Sequence, residues 1–308
     1  MTGEAEQEFP YCPFDIDNDP AAFGLVADIV ETRFGKMYVA HSRARTGDTA
    51  TFFLHGVGSS WTTWSPLLRA AQARGGLPGD LILVDLPGFG RSENRLDHLE
   101  SLQVAAALTA VIQEFGYDRA RLVGHSMGGL LALDMAARPQ LEVASLHLAS
   151  GAAFAIIEAV NRPWASLLHT PTPDVLFWSQ YALARTGRGR GLMGFLNRRH
   201  LLAPVLRTLV ARPRRLRQSV LDALAEEVRP RSYLHAARNI FGYDARARWH
   251  ALGCGVFAAF GARDQLVPRT DRETLAEVYP AAVATVVSDS SHFLHIERPH
   301  ETLAALGL

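Results

Sequence analysis

Two cysteines in 308 residues, Cys12 and Cys254, leave no material for a disulfide framework or a cysteine metal site. One lies in a Pro- and Asp-rich leader and the other begins an apolar strand, so both read as structural. Lysine is almost missing: 30 of the 31 basic residues are Arg, and Lys36 is the single Lys. A phosphate-binding loop of the G-x-x-x-x-G-K-[ST] kind is therefore excluded. No stretch offers about 18 uninterrupted apolar residues, so a spanning helix of ordinary length is not expected. Glu4, Glu6 and Glu8 stand where a secretory signal needs basic charge followed by an apolar run. The expectation is a cytoplasmic protein with no membrane association.

What is present is an ordinary globular composition, 48% apolar, enough for a substantial buried core. The net charge is zero but unevenly spread, because residues 161–250 hold 16 Arg against 5 Asp plus Glu, a surplus of 11. Neutrality overall and the lack of a recognition motif argue against nucleic acid as a partner.

Residues 1–22 are acidic and carry Pro10, Pro13 and Pro20 without periodicity, which predicts a flexible or loosely docked arm. From Phe23 the pattern sharpens. Phe23 to Thr32 and Lys36 to Ser42 read as an antiparallel hairpin turning at Phe34-Gly35. Thr51 to Leu54, Leu81 to Val84, Arg121 to Gly124, Val143 to Ala149 and Val256 to Phe260 are short apolar runs, the mark of strands buried on both faces. Helical stretches at Trp61 to Arg74, Leu99 to Phe115 and Met127 to Arg138 alternate with them, which predicts an α/β core with a parallel sheet. The rhythm stops after Gly151. The expected division is a core over 23–153 and 251–308, interrupted by a helical, Arg-rich cap over 154–250. Ala282 to Val287 reads as the last strand and Pro299 to Leu308 as a closing helix.

Gly124-His125-Ser126-Met127-Gly128 follows an apolar strand and opens a helix, the setting of a G-x-S-x-G nucleophile elbow. A helix-capping Ser beside packing glycines is the plainer reading of such a motif taken alone. A serine hydroxyl needs a base to become nucleophilic, and His292, a few residues past the last strand, is placed to return to the strand ends. Among the other histidines, His55 suits a hydrogen-bonding role in a loop, His125 fills the elbow, and His295 and His300 suit a surface or a helix start. The base needs a carboxylate to fix its tautomer, and Asp264, just after a buried strand, is preferred to Asp244 or Asp289. Two backbone N–H groups should meet the developing oxyanion: Met127 at the helix start and Val57 in the turn Leu54-His55-Gly56-Val57-Gly58.

Assembled in this order, the sequence resembles the capped α/β-hydrolase superfamily, serine-triad branch. The resemblance rests on His55-Gly56, on Asp85-Leu86-Pro87-Gly88-Phe89-Gly90-Arg91-Ser92, on the elbow, on Asp264 with Val267-Pro268, and on His292 with Glu297-Arg298-Pro299. It implies an eight-stranded, mostly parallel sheet with an antiparallel second strand, helices on both faces and a helical lid. It implies catalysis by Ser126, His292 and Asp264 through an acyl-enzyme, with no metal or organic cofactor. Carboxylesterases, lactonases, thioesterases, carbon–carbon bond hydrolases and acyl-transferring or cyclising relatives remain open, as does a non-catalytic receptor on the same scaffold.

The expected substrate is a small acyl compound. Trp164, Phe177, Trp178 and Tyr181 in the cap suit either an acyl-binding wall or the cap's own core. Arg212, Arg214, Arg215 and Arg217 read as a solvated face paired with the acidic core, or as a receiving face for an acidic carrier protein or acyl-CoA.

Overall fold

The computed structural model describes residues 9–93, 101–169, 171–249 and 252–308. Residues 1–8 of the expected arm, Leu99 at the start of an expected helix, and His250 and Ala251 at the expected cap boundary lie outside these.

Eight strands form one sheet in the order β1-β2-β4-β3-β5-β6-β7-β8. β1 (Leu25–Thr32) and β2 (Gly35–Ser42) make the antiparallel hairpin, with Gly35 at φ 109° closing a turn that side-chain-bearing residues rarely adopt. β2 also runs antiparallel to β4 (Asp80–Val84). β3 (Thr49–Leu54), β5 (Arg119–His125), β6 (Glu142–Ala149), β7 (Gly255–Gly261) and β8 (Val283–Val287) continue the sheet in parallel with β4.

Among the described residues, three α-helices precede the insertion point: α1 (Ser65–Gln72), α2 (Ser101–Glu114) and α3 (Met127–Ala136). Between β6 and β7 lies a helical insert, comprising α4 (Phe154–Asn161), α5 (Pro163–His169), α6 (Pro171–Arg185), α7 (Gly189–Arg198), α8 (Leu202–Val205), α9 (Gln218–Glu226), α10 (Pro230–Arg238) and α11 (Ala245–Trp249). After β7 come α12 (Arg269–Val278), α13 (Leu294–Glu297) and α14 (Pro299–Leu306).

Alternation along each central strand splits the core in two, since successive side chains leave opposite faces. Ala50, Phe52 and Leu54 of β3 and Leu122 of β5 join Leu108, Ile112, Leu130 and Leu133 from α2 and α3 on one face. Phe53 of β3 and Val123 of β5 join Leu67 and Leu68 of α1 and Leu303 and Leu306 of α14 on the other. The insert is tied to this core by Tyr243, whose hydroxyl donates to Asp134 Oδ1 at 2.6 Å and accepts from Trp249 Nε1 at 3.0 Å.

The expected arm is not loose from Phe9 onward. Tyr11 and Cys12 are buried with Leu206, Val210 and Val220 of the insert and with Phe293 and Ile296. Apolar side chains in a Pro-rich, aperiodic stretch found a tertiary surface to cover, which periodicity could not reveal.

Candidate active site

β5 ends at His125 and α3 begins at Met127, so Ser126 alone makes the turn, at φ 52° and ψ −121°. That conformation is costly for a residue with a side chain, and the surroundings must enforce it. They do so by close approach: a Cβ on Gly128 would lie 2.1 Å from the carbonyl oxygen of Leu54, and one on Gly124 would lie 2.6 Å from that of Gly128. Only glycines let strand and helix meet at so sharp an angle.

Ser126, His292 and Asp264, drawn from three separate loops, are brought together. Ser126 Oγ lies 3.0 Å from His292 Nε2, and His292 Nδ1 lies 2.9 Å from Asp264 Oδ2. Asp264 Oδ1 accepts from the N–H groups of Leu266 and Val267 at 2.9 and 3.0 Å, which fixes the carboxylate plane. With Nδ1–H pointing at Asp264, Nε2 is left free to accept the serine proton. Val57 and Met127 border the same cavity as Ser126 and His292. Met127 is the first residue of α3, so its N–H has no acceptor within the helix.

His55 holds the turn beside Val57. Leu86 N–H donates to its Nε2 at 2.9 Å, so Nδ1 carries the proton and donates to the Gly56 carbonyl at 2.7 Å. Burial pushes its pKa down to about 4 and keeps the ring neutral. Asp85 is also structural: it accepts from the N–H groups of Trp61 and Arg91, each at 2.8 Å, and burial raises its pKa to about 6. His295 and His300 do stand at helix starts, but both are buried, not on the surface. His295 packs on His125 at 4.3 Å, and Phe9 stacks on His300 at 3.9 Å. Asp244 caps α11 through Ala247 N–H, and Asp289 pairs with Arg212, so neither meets His292.

A cavity of about 140 Å³ opens beside Ser126 under the insert. Leu86, Phe89, Leu130, Ile156, Phe177 and Ile240 give it apolar walls, and Gln180, His235 and Asn239 add polar atoms. Of the four aromatic residues expected there, Phe177 alone lines it. Trp164 is 82% exposed on the outside of α5, and Trp178 and Tyr181 pack with Phe177 in an aromatic cluster behind the wall. The cause is helical phase: Phe177 and Gln180, three residues apart on α6, face inward, and the next residue on each turn points about 100° away. Ser232, His235, Ala236 and Asn239 line the cavity at spacing i, i+3, i+4, i+7. That spacing is legible in the sequence, but its inward sense is not.

Residues 52–306 match the Alpha/beta hydrolase family, to which the chain belongs. Over 303 residues it is 26% identical to a dihydrolipoyllysine-residue acetyltransferase component of an acetoin cleaving system from Cupriavidus necator, covering 94% of this chain and 70% of that one. It is 28% identical over 261 residues to a pimeloyl-[acyl-carrier protein] methyl ester esterase from Serratia marcescens, covering 83% of this chain and 91% of that protein. The fold is similar to that of an esterase from Exiguobacterium antarcticum, with a TM-score of 0.71 at 18% identity, covering 92% of this chain and 98% of that one.

Proposed function

We propose that the protein is a serine hydrolase cleaving a carboxylic ester, lactone or thioester through an acyl-enzyme on Ser126. The observation that carries this reading is the continuous hydrogen-bonded path Ser126–His292–Asp264 at the floor of an apolar cavity. In this mechanism Ser126 Oγ attacks the acyl carbon while His292 Nε2 takes its proton, and Asp264 stabilises the imidazolium. The N–H groups of Val57 and Met127 receive the oxyanion. His292 then protonates the leaving alcohol or thiol, and a water it deprotonates releases the acid and restores Ser126. The insert closes over the site as a cap and its apolar wall takes the acyl chain.

The test is a fluorophosphonate adduct located by mass spectrometry, alongside p-nitrophenyl esters of graded chain length. Labelling of Ser126 and turnover that vanishes in Ser126→Ala are expected. A protein that neither labels nor turns over any ester or thioester would instead be a ligand-binding receptor on this scaffold.

A second reading, an acyl group delivered on an acidic carrier or on CoA, draws on the basic insert. Arg214 and Arg215 are exposed, whereas Arg212 is paired with Asp289 and Arg217 with Asp15. The Serratia marcescens relative acts, by its name, on a carrier-bound methyl ester. Turnover of a carrier-bound thioester that falls as salt rises, and falls in Arg214→Glu/Arg215→Glu, is the expected result.

A further inference from the structure

Glu297 has no part in the chemistry above, yet it is fully buried beside it. Its carboxylate accepts three hydrogen bonds from three separate parts of the chain. Oε1 takes the N–H of Ser291 at 3.0 Å, and Oε2 takes the N–H of Ala211 at 2.7 Å and the hydroxyl of Tyr11 at 2.7 Å. Ser291 immediately precedes His292, Ala211 belongs to the insert, and Tyr11 to the N-terminal segment. The next N–H, that of His292, donates to the Leu209 carbonyl of the insert at 3.1 Å. Two consecutive peptide groups at the histidine are thus stitched to residues 209–211.

The N-terminal segment draws the stitch tight. Cys12 N–H donates to the Glu297 carbonyl at 2.8 Å, and the Tyr11 hydroxyl, while donating to Glu297, accepts from Arg212 N–H at 3.1 Å. Further along, Arg217 of the insert donates to the Cys12 carbonyl at 3.1 Å and pairs with Asp15 at 3.0 Å, and Ser219 donates to Asp15 at 2.7 Å. Asp17 then anchors to the core through Arg69 at 2.7 Å. The segment crosses from the insert to the core like a strap, with Tyr11 and Glu297 at the crossing.

We propose that Glu297 and Tyr11 are positioning residues: their junction couples the seating of the insert's 209–212 segment to the placement of the His292 imidazole. The inference rests on His292 acting as general base. If the strap is released, the Ser291 and His292 N–H groups lose their firm acceptors, and Nε2 shifts relative to Ser126 while the His292 carbonyl stays on His125 and the Asp264 carboxylate on its own backbone donors. Small displacements of a base carry large rate penalties, roughly a hundredfold for 1 Å.

The test compares wild type, Tyr11→Phe and Glu297→Gln in the full chain. The readouts are kcat and KM on a p-nitrophenyl ester, thermal unfolding, and the downfield proton resonance of His292 Nδ1–H, assigned by its loss in His292→Gln. The amide of Glu297→Gln cannot satisfy all three donors, so kcat should fall about tenfold, with KM within about twofold. Tyr11→Phe removes one oxygen and keeps the ring, so a loss of about threefold is expected, with the His292 resonance displaced in both variants. Wild-type kcat and an unmoved resonance in Tyr11→Phe, with only stability changed, would overturn the proposal. If Glu297→Gln does not fold, Tyr11→Phe decides. Should the wild type neither label with the fluorophosphonate nor turn over any ester or thioester, the hydrolase reading falls, while the His292 resonance still tests the junction separately.

Discussion

His125 donates its Nε2–H to the backbone carbonyl of His292 at 3.0 Å, so the residues flanking the elbow serine and the histidine loop are joined through the main chain as well as through Ser126. The ring is fully enclosed by Trp64, Phe293 and His295, and burial holds it neutral, with its pKa well below the usual range. His125→Phe keeps an aromatic ring, slightly larger than the imidazole, in the same cluster but leaves that carbonyl buried without its donor. Denaturant unfolding should show a loss of about 1–3 kcal/mol. A change below about 0.5 kcal/mol would mean that the bond contributes nothing net.

Ser126 holds φ 52°, a conformation that glycine adopts freely. Ser126→Gly and Ser126→Ala should both lose turnover, but the glycine variant should be the more stable of the two by about 1 kcal/mol. Equal unfolding midpoints would show that the turn stores no strain.

Acid stability should reflect His55. Its folded pKa of about 4 lies below the ordinary 6.5, so the unfolded chain binds the proton first as pH falls. The linked stability is complete above pH 6.5 and is lost as pH drops through about 4, on the order of 3 kcal/mol. Thermal unfolding followed across this window should show a shallower acid loss in His55→Gln than in wild type. Parallel curves would count against His55 as a source of the acid sensitivity.

Phe177 lines the cavity and Trp164 faces solvent. Phe177→Ala should shift preference among p-nitrophenyl esters towards longer acyl chains by about tenfold in kcat/KM, the scale of one or two methylenes in an apolar pocket. Trp164→Ala should leave every ester within about twofold. A shift from Trp164→Ala and none from Phe177→Ala would mean that the acyl chain runs outside this cavity.

Local pattern carried much of the architecture. The apolar runs behind β3 to β7 are short and rich in branched or aromatic residues, so they were legible as strands buried on both faces, and each formed within two residues of the expected limits. Ser126, Asp264 and His292 stood out because each follows a strand, and a parallel sheet sends all strand ends to one edge. The insert's helices were legible as helices, but which side faced the cavity was not, because Phe177 and Trp178 differ only by one step of helical phase.

What the amino-acid order alone determined, then, is the strand rhythm, the glycines that permit the elbow and the succession of serine, aspartate and histidine, each member of which is recognised from neighbours a few residues away. The tertiary structure decided the direction of the insert's aromatic side chains, the burial of His295 and His300, and the meeting of Tyr11, Ala211 and Ser291 on Glu297. Those contacts join residues separated by as many as 286 positions, and no periodicity encodes a pairing at that range. Only packing against a completed sheet brings them within hydrogen-bonding distance.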